Sequence, residues 1–219
     1  MIKRAKRFHF DLQEDIPLST RLEDVSFQVV DTEATGFNVQ KEDRMIELAA
    51  VPVRNLQVEK ENAYQTYVNP DREIPGKIVK LTGIQDRDVQ TAPNAYQVIN
   101  RFSEMMEDNA VTCLIGHHIQ FDITLMKCEL SREGYKFVKP RAVDTLSLLR
   151  YLFPTEGGKD LMDYAAMLGT KIFERHTALG DTLTTAYLFC EAIRMIQERG
   201  HGTWGDLLQV TAVKSRMFY

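Results

Sequence analysis

Residues 25–33 read Val25-Ser-Phe-Gln-Val-Val-Asp-Thr-Glu33, and this stretch decides the fold. A short apolar run leads into two acids spaced by one residue, just before a turn signal at Gly36. Runs of this length, rich in Val and Phe and bounded by turn residues, form buried strands. Side chains alternate along a strand, so Val25, Phe27 and Val29 share a face with Asp31 and Glu33. Two carboxylates therefore continue a core-facing surface. Such a pair repels and loses solvation, and needs a cation or a shared proton. The other reading makes both acids turn residues that cap exposed amides.

Two more strands follow, Arg44–Val53 and Ala63–Val68, with short connections that favour an antiparallel meander. After Pro75 the pattern turns helical. Pro93 opens an amphipathic helix with Ala95, Val98, Ile99, Phe102, Met105 and Met106 on one face. Val111–Ile115 reads as a buried strand ending at Gly116, and Ile119–Glu133 as a helix closed by Gly134. Val143-Asp144 ends a short strand, with Asp144 placed to cap a helix over Thr145–Leu152. Helices over 160–168 and Asp181–Arg199 complete the pattern. A meander followed by alternating strands and helices predicts an α/β protein with a mixed sheet covered on its faces.

The chain has 219 residues, 44% of them hydrophobic and 26% charged, which excludes collagen-like, low-complexity and largely disordered proteins. The expected organisation is an arm over 1–24, one domain over 25–199 and a tail over 200–219. The arm opens with Lys3, Arg4, Lys6 and Arg7, continues with Asp11, Glu14 and Asp15, and is expected to pack loosely or not at all. Cys113, Cys128 and Cys190 have no CxxC spacing and read as free thiols of a reducing compartment. With no long apolar segment and no secretory pattern, a cytoplasmic protein without membrane contact is expected. The formal net charge of −4 argues against a protein that coats nucleic acid by charge alone.

Two other segments carry chemistry. Gly116-His-His-Ile-Gln-Phe-Asp122 follows a buried strand and enters a helix, which puts Asp122 near the strand's C-terminal end, where ligand sites of α/β sheets form. Its alternative role is to favour the helix N-terminus electrostatically. Arg175-His176-Thr-Ala-Leu-Gly-Asp181 precedes the last long helix, and a loop His beside acids can act as a general base near neutral pH. An isolated surface His is the alternative. Taken together, four carboxylates from separate segments are expensive to assemble without metal. Oxygen ligands favour Mg²⁺ or Mn²⁺, and two such ions are a recurring arrangement for phosphodiester cleavage.

Asp31-Thr32-Glu33-Ala34-Thr35-Gly36-Phe37, Gly116-His117-His118 to Phe121-Asp122, and His176 to Asp181 resemble, in order, the three motifs of the DEDDh (DnaQ-like) 3′–5′ exonucleases. That superfamily includes the proofreading epsilon subunit of bacterial DNA polymerase III and ribonuclease T. The similarity runs from about Val25 to Ala192 and includes Ile46-Glu47-Leu48, Leu81-Thr82-Gly83-Ile84 and Asp144-Thr145-Leu146. His118 stands where the family usually has Asn.

The resemblance implies a ribonuclease H-like fold, a five-stranded sheet in the order 3-2-1-4-5 with strands 1–3 antiparallel. It implies two Mg²⁺ or Mn²⁺ ions held by Asp31, Glu33, Asp122 and Asp181, with His176 as general base. Ala34, Thr35, Phe37, Thr82, His117 and Phe121 would meet substrate: backbone amides around Ala34 and Thr35 would take the 3′-hydroxyl, and Phe37 would wedge against the terminal base. Arg175 and Lys159 are candidate phosphate contacts or solvated surface charges. The implied activity releases nucleoside 5′-monophosphates from DNA 3′ ends, single strands foremost, in proofreading or repair with a DNA polymerase as partner. RNA processing and a noncatalytic docking module are the alternatives. Bound divalent cations would reverse the local sign of the acidic site, so a negative net charge is compatible with nucleic acid.

Overall fold

The computed structural model describes residues 6–212. In chain order its strands are β1 (Lys6–Phe8), β2 (Phe27–Ala34), β3 (Met45–Arg54), β4 (Gln57–Val58), β5 (Tyr64–Tyr67), β6 (Cys113–Gly116), β7 (Tyr135–Phe137) and β8 (Ala142–Asp144). The α-helices are α1 (Gly76–Thr82), α2 (Asp86–Val89), α3 (Ala95–Asp108), α4 (Gln120–Arg132), α5 (Thr145–Leu152), α6 (Leu161–Met167), α7 (Ala178–Glu198) and α8 (Trp204–Ala212).

The central sheet runs β5-β3-β2-β6-β8, with β2, β3 and β5 antiparallel and β6 and β8 parallel to β2. This is the expected order 3-2-1-4-5. The sheet gains a sixth strand, because β4 folds back onto the end of β3 at Val53 and Arg54. A separate pair, β1 with β7, runs parallel.

Each face of the sheet buries one core. Phe27 and Val29 of β2 pack with α5, α7 and α8 on one side. Val30 and Ala34 pack with α3 and α4 on the other. The two acids of β2 are thereby aimed at α7. A register shift between Glu33 and Ala34 leaves Ile46 of β3 as the extra residue. Bulges of this kind bend a strand and re-aim side chains next to functional sites.

Helix ends follow their caps. Asp144 accepts from the Leu146 amide, as expected for the start of α5. The last long helix starts earlier than expected, at Ala178, because Thr177 rather than Asp181 caps it and accepts from the Gly180 amide. Asp181 therefore lies inside the first turn. Cys113 and Cys190 are buried and Cys128 partly so, all three as free thiols. Among the described residues no helix is long and apolar enough to cross a membrane.

The loosely packed arm is corrected for its described part. Phe8 and Phe10 are buried, and Phe10 meets Phe8, Phe102 and Phe137 edge-on at 5.6–5.8 Å. The chain then crosses to the other core, where Leu22 is fully buried. Backbone bonds hold it along the way, from Gln13 to Val111 and from Val138 to Phe8. The expected tail also contributes to the core: α8 buries Trp204, Leu207 and Val210. The amides of Trp204 and Gly205 donate to Thr20 and Leu18, so both extensions are tied to each other as well as to the core. Apolar side chains spaced among the charges supply the missing burial energy. Lys3, Arg4 and residues 213–219 lie outside the described residues.

Phe10→Ala should cost about 3–5 kcal/mol of stability in urea unfolding, the range for a buried ring. A loss under about 1 kcal/mol would restore the loose arm.

Candidate active site

Alternation along β2 sets the geometry. Asp31 and Glu33 point to the α7 side, where Asp181 projects from the first turn of α7, and carboxylate oxygens of the three lie within 4.8 Å of one another. One Asp181 oxygen, Oδ2, accepts from the backbone N–H of His176 at 3.1 Å. The other, Oδ1, is buried with no hydrogen-bond partner within the protein. A buried carboxylate oxygen left without a donor, beside two more carboxylates, fits a hard divalent cation such as Mg²⁺ or Mn²⁺.

Asp122 arrives from the opposite face. It is buried in the first turn of α4, and its Oδ1 accepts from the Thr32 hydroxyl at 2.6 Å. Thr32 lies between the two acids of β2, so it points away from them and toward α4. The four expected carboxylates thus converge on one strand end, three from one side and Asp122 from the other. Asp122 stands outside the tight group of three.

The electrostatics reflect this crowding. Burial, followed by the charges of Asp122, Glu33, Asp181 and Glu47, holds the Asp31 carboxyl well above the usual carboxylate range. Burial and then Asp181, Glu47 and Asp122 push Glu33 up to about 8. Burial also raises Asp122, against the opposing pull of the Thr32 hydroxyl. Asp181 is raised by burial, while the His176 amide and the His176 and Arg175 charges pull it down.

Glu47 is the residue that motif reading passes over as a site group. It faces Glu33 across the β2–β3 ladder and is 1% exposed. Its carboxylate accepts from the Gln65 side chain at 2.6 Å and from the Ala178 amide at 3.0 Å. It therefore ties the N-terminus of α7, and with it Asp181, to the central sheet. The detectable signal is a lone acid inside the apolar run Met45–Val53.

His176 sits in the turn before α7 at φ +61°. Its amide donates to Asp181, which fixes the two residues relative to each other. Arg175 is paired with Asp160 at 2.8 Å and Lys159 with Glu156 at 3.3 Å, so neither is a free cation.

The remaining expected contacts differ in their surroundings. Phe37 is 82% exposed and its ring stands 6.0 Å from that of Phe121, the chain neighbour of Asp122. Ala34 and Thr35 are buried. The Thr35 amide donates to the Arg44 carbonyl and its hydroxyl donates to Asp43, so the expected use of the Thr35 amide for a 3′-hydroxyl is corrected. The Thr82 hydroxyl is spent at the end of α1, donating to Ile78 and accepting from Ile84.

The Thr145 hydroxyl donates to the Gly116 carbonyl and pairs with His117 Nδ1 at 2.8 Å. That arrangement places the imidazole proton on Nδ1 and leaves Nε2 a buried acceptor without a partner within the protein. Burial, then the His118 charge, lowers His117 to about 4, so it is neutral at neutral pH. His118 occupies φ +61°. Left-handed backbone favours Asn, Asp and His, so the exchange of the family's usual Asn for His keeps the turn.

The exonuclease family profile (RNase T) matches residues 29–189, and the chain belongs to this family of DEDD 3′–5′ exonucleases, whose members are metal-dependent. It is 33% identical over 207 residues to a "DNA polymerase III subunit epsilon-like protein" of Rhodobacter capsulatus, covering 92% of this chain and 29% of that one. The first relatives it matches are all much longer, and the chain spans less than a third of each. Among solved structures, Exonuclease X in complex with 5′ overhanging duplex DNA superposes with a TM-score of 0.65 at 21% identity, covering 85% of this chain and 99% of that one. The nuclease domain of 3′hExo bound to rAMP gives 0.68 at 20% identity, covering 82% and 95%. Both share the fold.

The raised Glu33 makes stability depend on pH. Its proton is held more tightly in the folded protein, so this contribution is complete below about pH 4.5 and is lost as pH rises through about 8. The melting temperature of EDTA-treated protein should fall between about pH 5 and 9, and Mg²⁺ should restore it chiefly at the alkaline end. Glu33→Gln should flatten the slope. A melting temperature that rises over this window in EDTA counts against a crowded carboxylate site.

Proposed function

We propose that this protein is a metal-dependent 3′–5′ exonuclease that releases nucleoside 5′-monophosphates from the 3′ ends of DNA, with single strands preferred. The observation that carries the reading is the group Asp31, Glu33 and Asp181, with its partnerless Oδ1 and with His176 fixed at Asp181 through its amide. Asp31, Glu33 and Asp181 would hold one Mg²⁺ or Mn²⁺, and Asp122 would support a second. Bound there, the ions supply electrostatic stabilisation of the phosphoryl oxygens and acidify an attacking water.

The chain's own groups do the rest. His176 accepts the proton of the attacking water at an imidazole nitrogen. Phe37 and Phe121 offer ring faces and edges to the terminal base, contacts that tolerate any sequence. Glu47 keeps Asp181 in place through the α7 N-terminus. Association with a DNA polymerase is supported by the name of the Rhodobacter relative, and a reducing, cytoplasmic setting by three free thiols.

Purified protein incubated with 5′-labelled single-stranded DNA in Mg²⁺ should shorten it stepwise from the 3′ end. Matched RNA should be a poorer substrate. Asp181→Asn should lose at least about 10³-fold in kcat, and His176→Ala about 10²–10⁴-fold while keeping the Mg²⁺-induced rise in melting temperature. No mononucleotide release in Mg²⁺ or Mn²⁺ would overturn the proposal and favour a docking module, and faster turnover of RNA would reassign the substrate.

A further inference from the structure

The turn between β2 and β3, residues 35–44, carries Phe37 to the site, and an unusual density of charge holds it to α4. Glu129 of α4 is 1% exposed. Its carboxylate accepts from Arg44 Nε at 3.0 Å, from the Met45 amide at 2.9 Å, and pairs with Arg132 one turn on at 3.3 Å. Arg132 in turn donates through one nitrogen to the carbonyls of Val39 at 2.9 Å, Asp43 at 3.2 Å and Lys41 at 3.4 Å. Inside the turn, the Asp43 carboxylate accepts from the Thr35 hydroxyl and the Asn38 amide. A Cβ at Gly36 would overlap that carboxylate, so the turn closes directly onto it.

The turn and α4 are the two walls of a groove of about 450 Å³, lined by Phe37, Asn38 and Lys41 on one side and Gln120, Phe121 and Thr124 on the other. Asp122 and Glu129 are seven residues apart on α4, two helical turns, and so lie on one face. One rigid helix therefore presents a site carboxylate at its start and the anchor of the opposite groove wall two turns later. A carboxylate buried against a loop, with its hydrogen bonds made to that loop and not to the acids, acts on the loop.

We propose that Glu129 and Arg132 are positioning residues that set the width of the groove between Phe37 and Phe121, and through it the grip on the 3′-terminal stretch of a nucleic-acid strand. The inference rests on the exonuclease reading above. Neither residue touches the acids, so the chemistry at a small phosphodiester should be indifferent to them, whereas the strand's grip depends on both walls.

The test compares Arg132→Met on a single-stranded oligothymidylate and on the 5′-p-nitrophenyl ester of thymidine monophosphate, which has no upstream strand. KM for the oligonucleotide should rise about 5–20-fold with kcat within about 2-fold, and kcat for the ester should stay within about 2-fold of wild type. Phe37→Ala should raise the oligonucleotide KM similarly, and the double variant should be no worse than Phe37→Ala alone, the non-additivity of groups that act as one. Arg132→Lys, which keeps a charge but not the fork, should fall between and serves where the Met variant folds poorly. An additive double variant, a kcat loss shared by both substrates, or an unchanged oligonucleotide KM in either Arg132 variant overturns the positioning role. A wild-type protein that cleaves neither substrate overturns the exonuclease reading and this inference with it.

Discussion

The repulsion among carboxylates at the end of β2 is the constraint around which the molecule is organised. Asp31, Glu33 and Asp181 stand together in a partly buried place, with fully buried Glu47 beside them and Asp122 across the strand. Burial limits screening by water, and the charges of His176 and Arg175 relieve Asp181 only in part. Such an arrangement costs stability in the free protein and returns it when a divalent cation arrives. The surrounding packing must hold it shut. β2 has covered cores on both faces, and the segments before and after the central domain are drawn in to add apolar burial. The extensions thus help to hold a site that favours its own dispersal.

Convergence from two faces follows from strand geometry. α7 lies over the odd-numbered side chains of β2 and α4 over the even ones. A residue from each helix can reach the same strand end only there, where the sheet runs out. Thr32 makes the join, because its hydroxyl takes Asp122 on one side while its neighbours face Asp181 on the other. The place is also the C-terminal edge of β6, where parallel strands leave room for ligands.

Much of this was legible in the sequence, for reasons that differ by element. The strand expected over Val25–Val30 is found two residues on and longer, as Phe27–Ala34. The helices expected from Pro93, over Ile119–Glu133 and over Thr145–Leu152 are found as Ala95–Asp108, Gln120–Arg132 and Thr145–Leu152, because their apolar periodicity is unmixed. The four carboxylates and His176 were recognisable because their motif spacings are rigid. The N-terminal arm was misread because its charges are conspicuous, while Phe8, Phe10 and Leu12 alternate among them in a pattern too short to stand out. Thr35 was misplaced because whether an amide is free depends on a partner nine residues on, at Arg44. Glu47 and Glu129 needed the fold, since a lone acid in an apolar run has no meaning until its donors are known.

The ladder between β2 and β3 pairs eight residues of β2 with only one irregularity, at Ile46. Because its side chains alternate, sliding β2 by a single position would turn Asp31 and Glu33 toward α4 and present Thr32 to Asp181. Packing opposes the same slip, because it would bring the polar Ser26 or Gln28 to the core positions of Phe27 and Val29. The acids could not exchange places without losing the site. The sheet's alignment is therefore enforced twice, by packing at its middle and by chemistry at its end, and a one-residue insertion or deletion in β2 would disturb both at once.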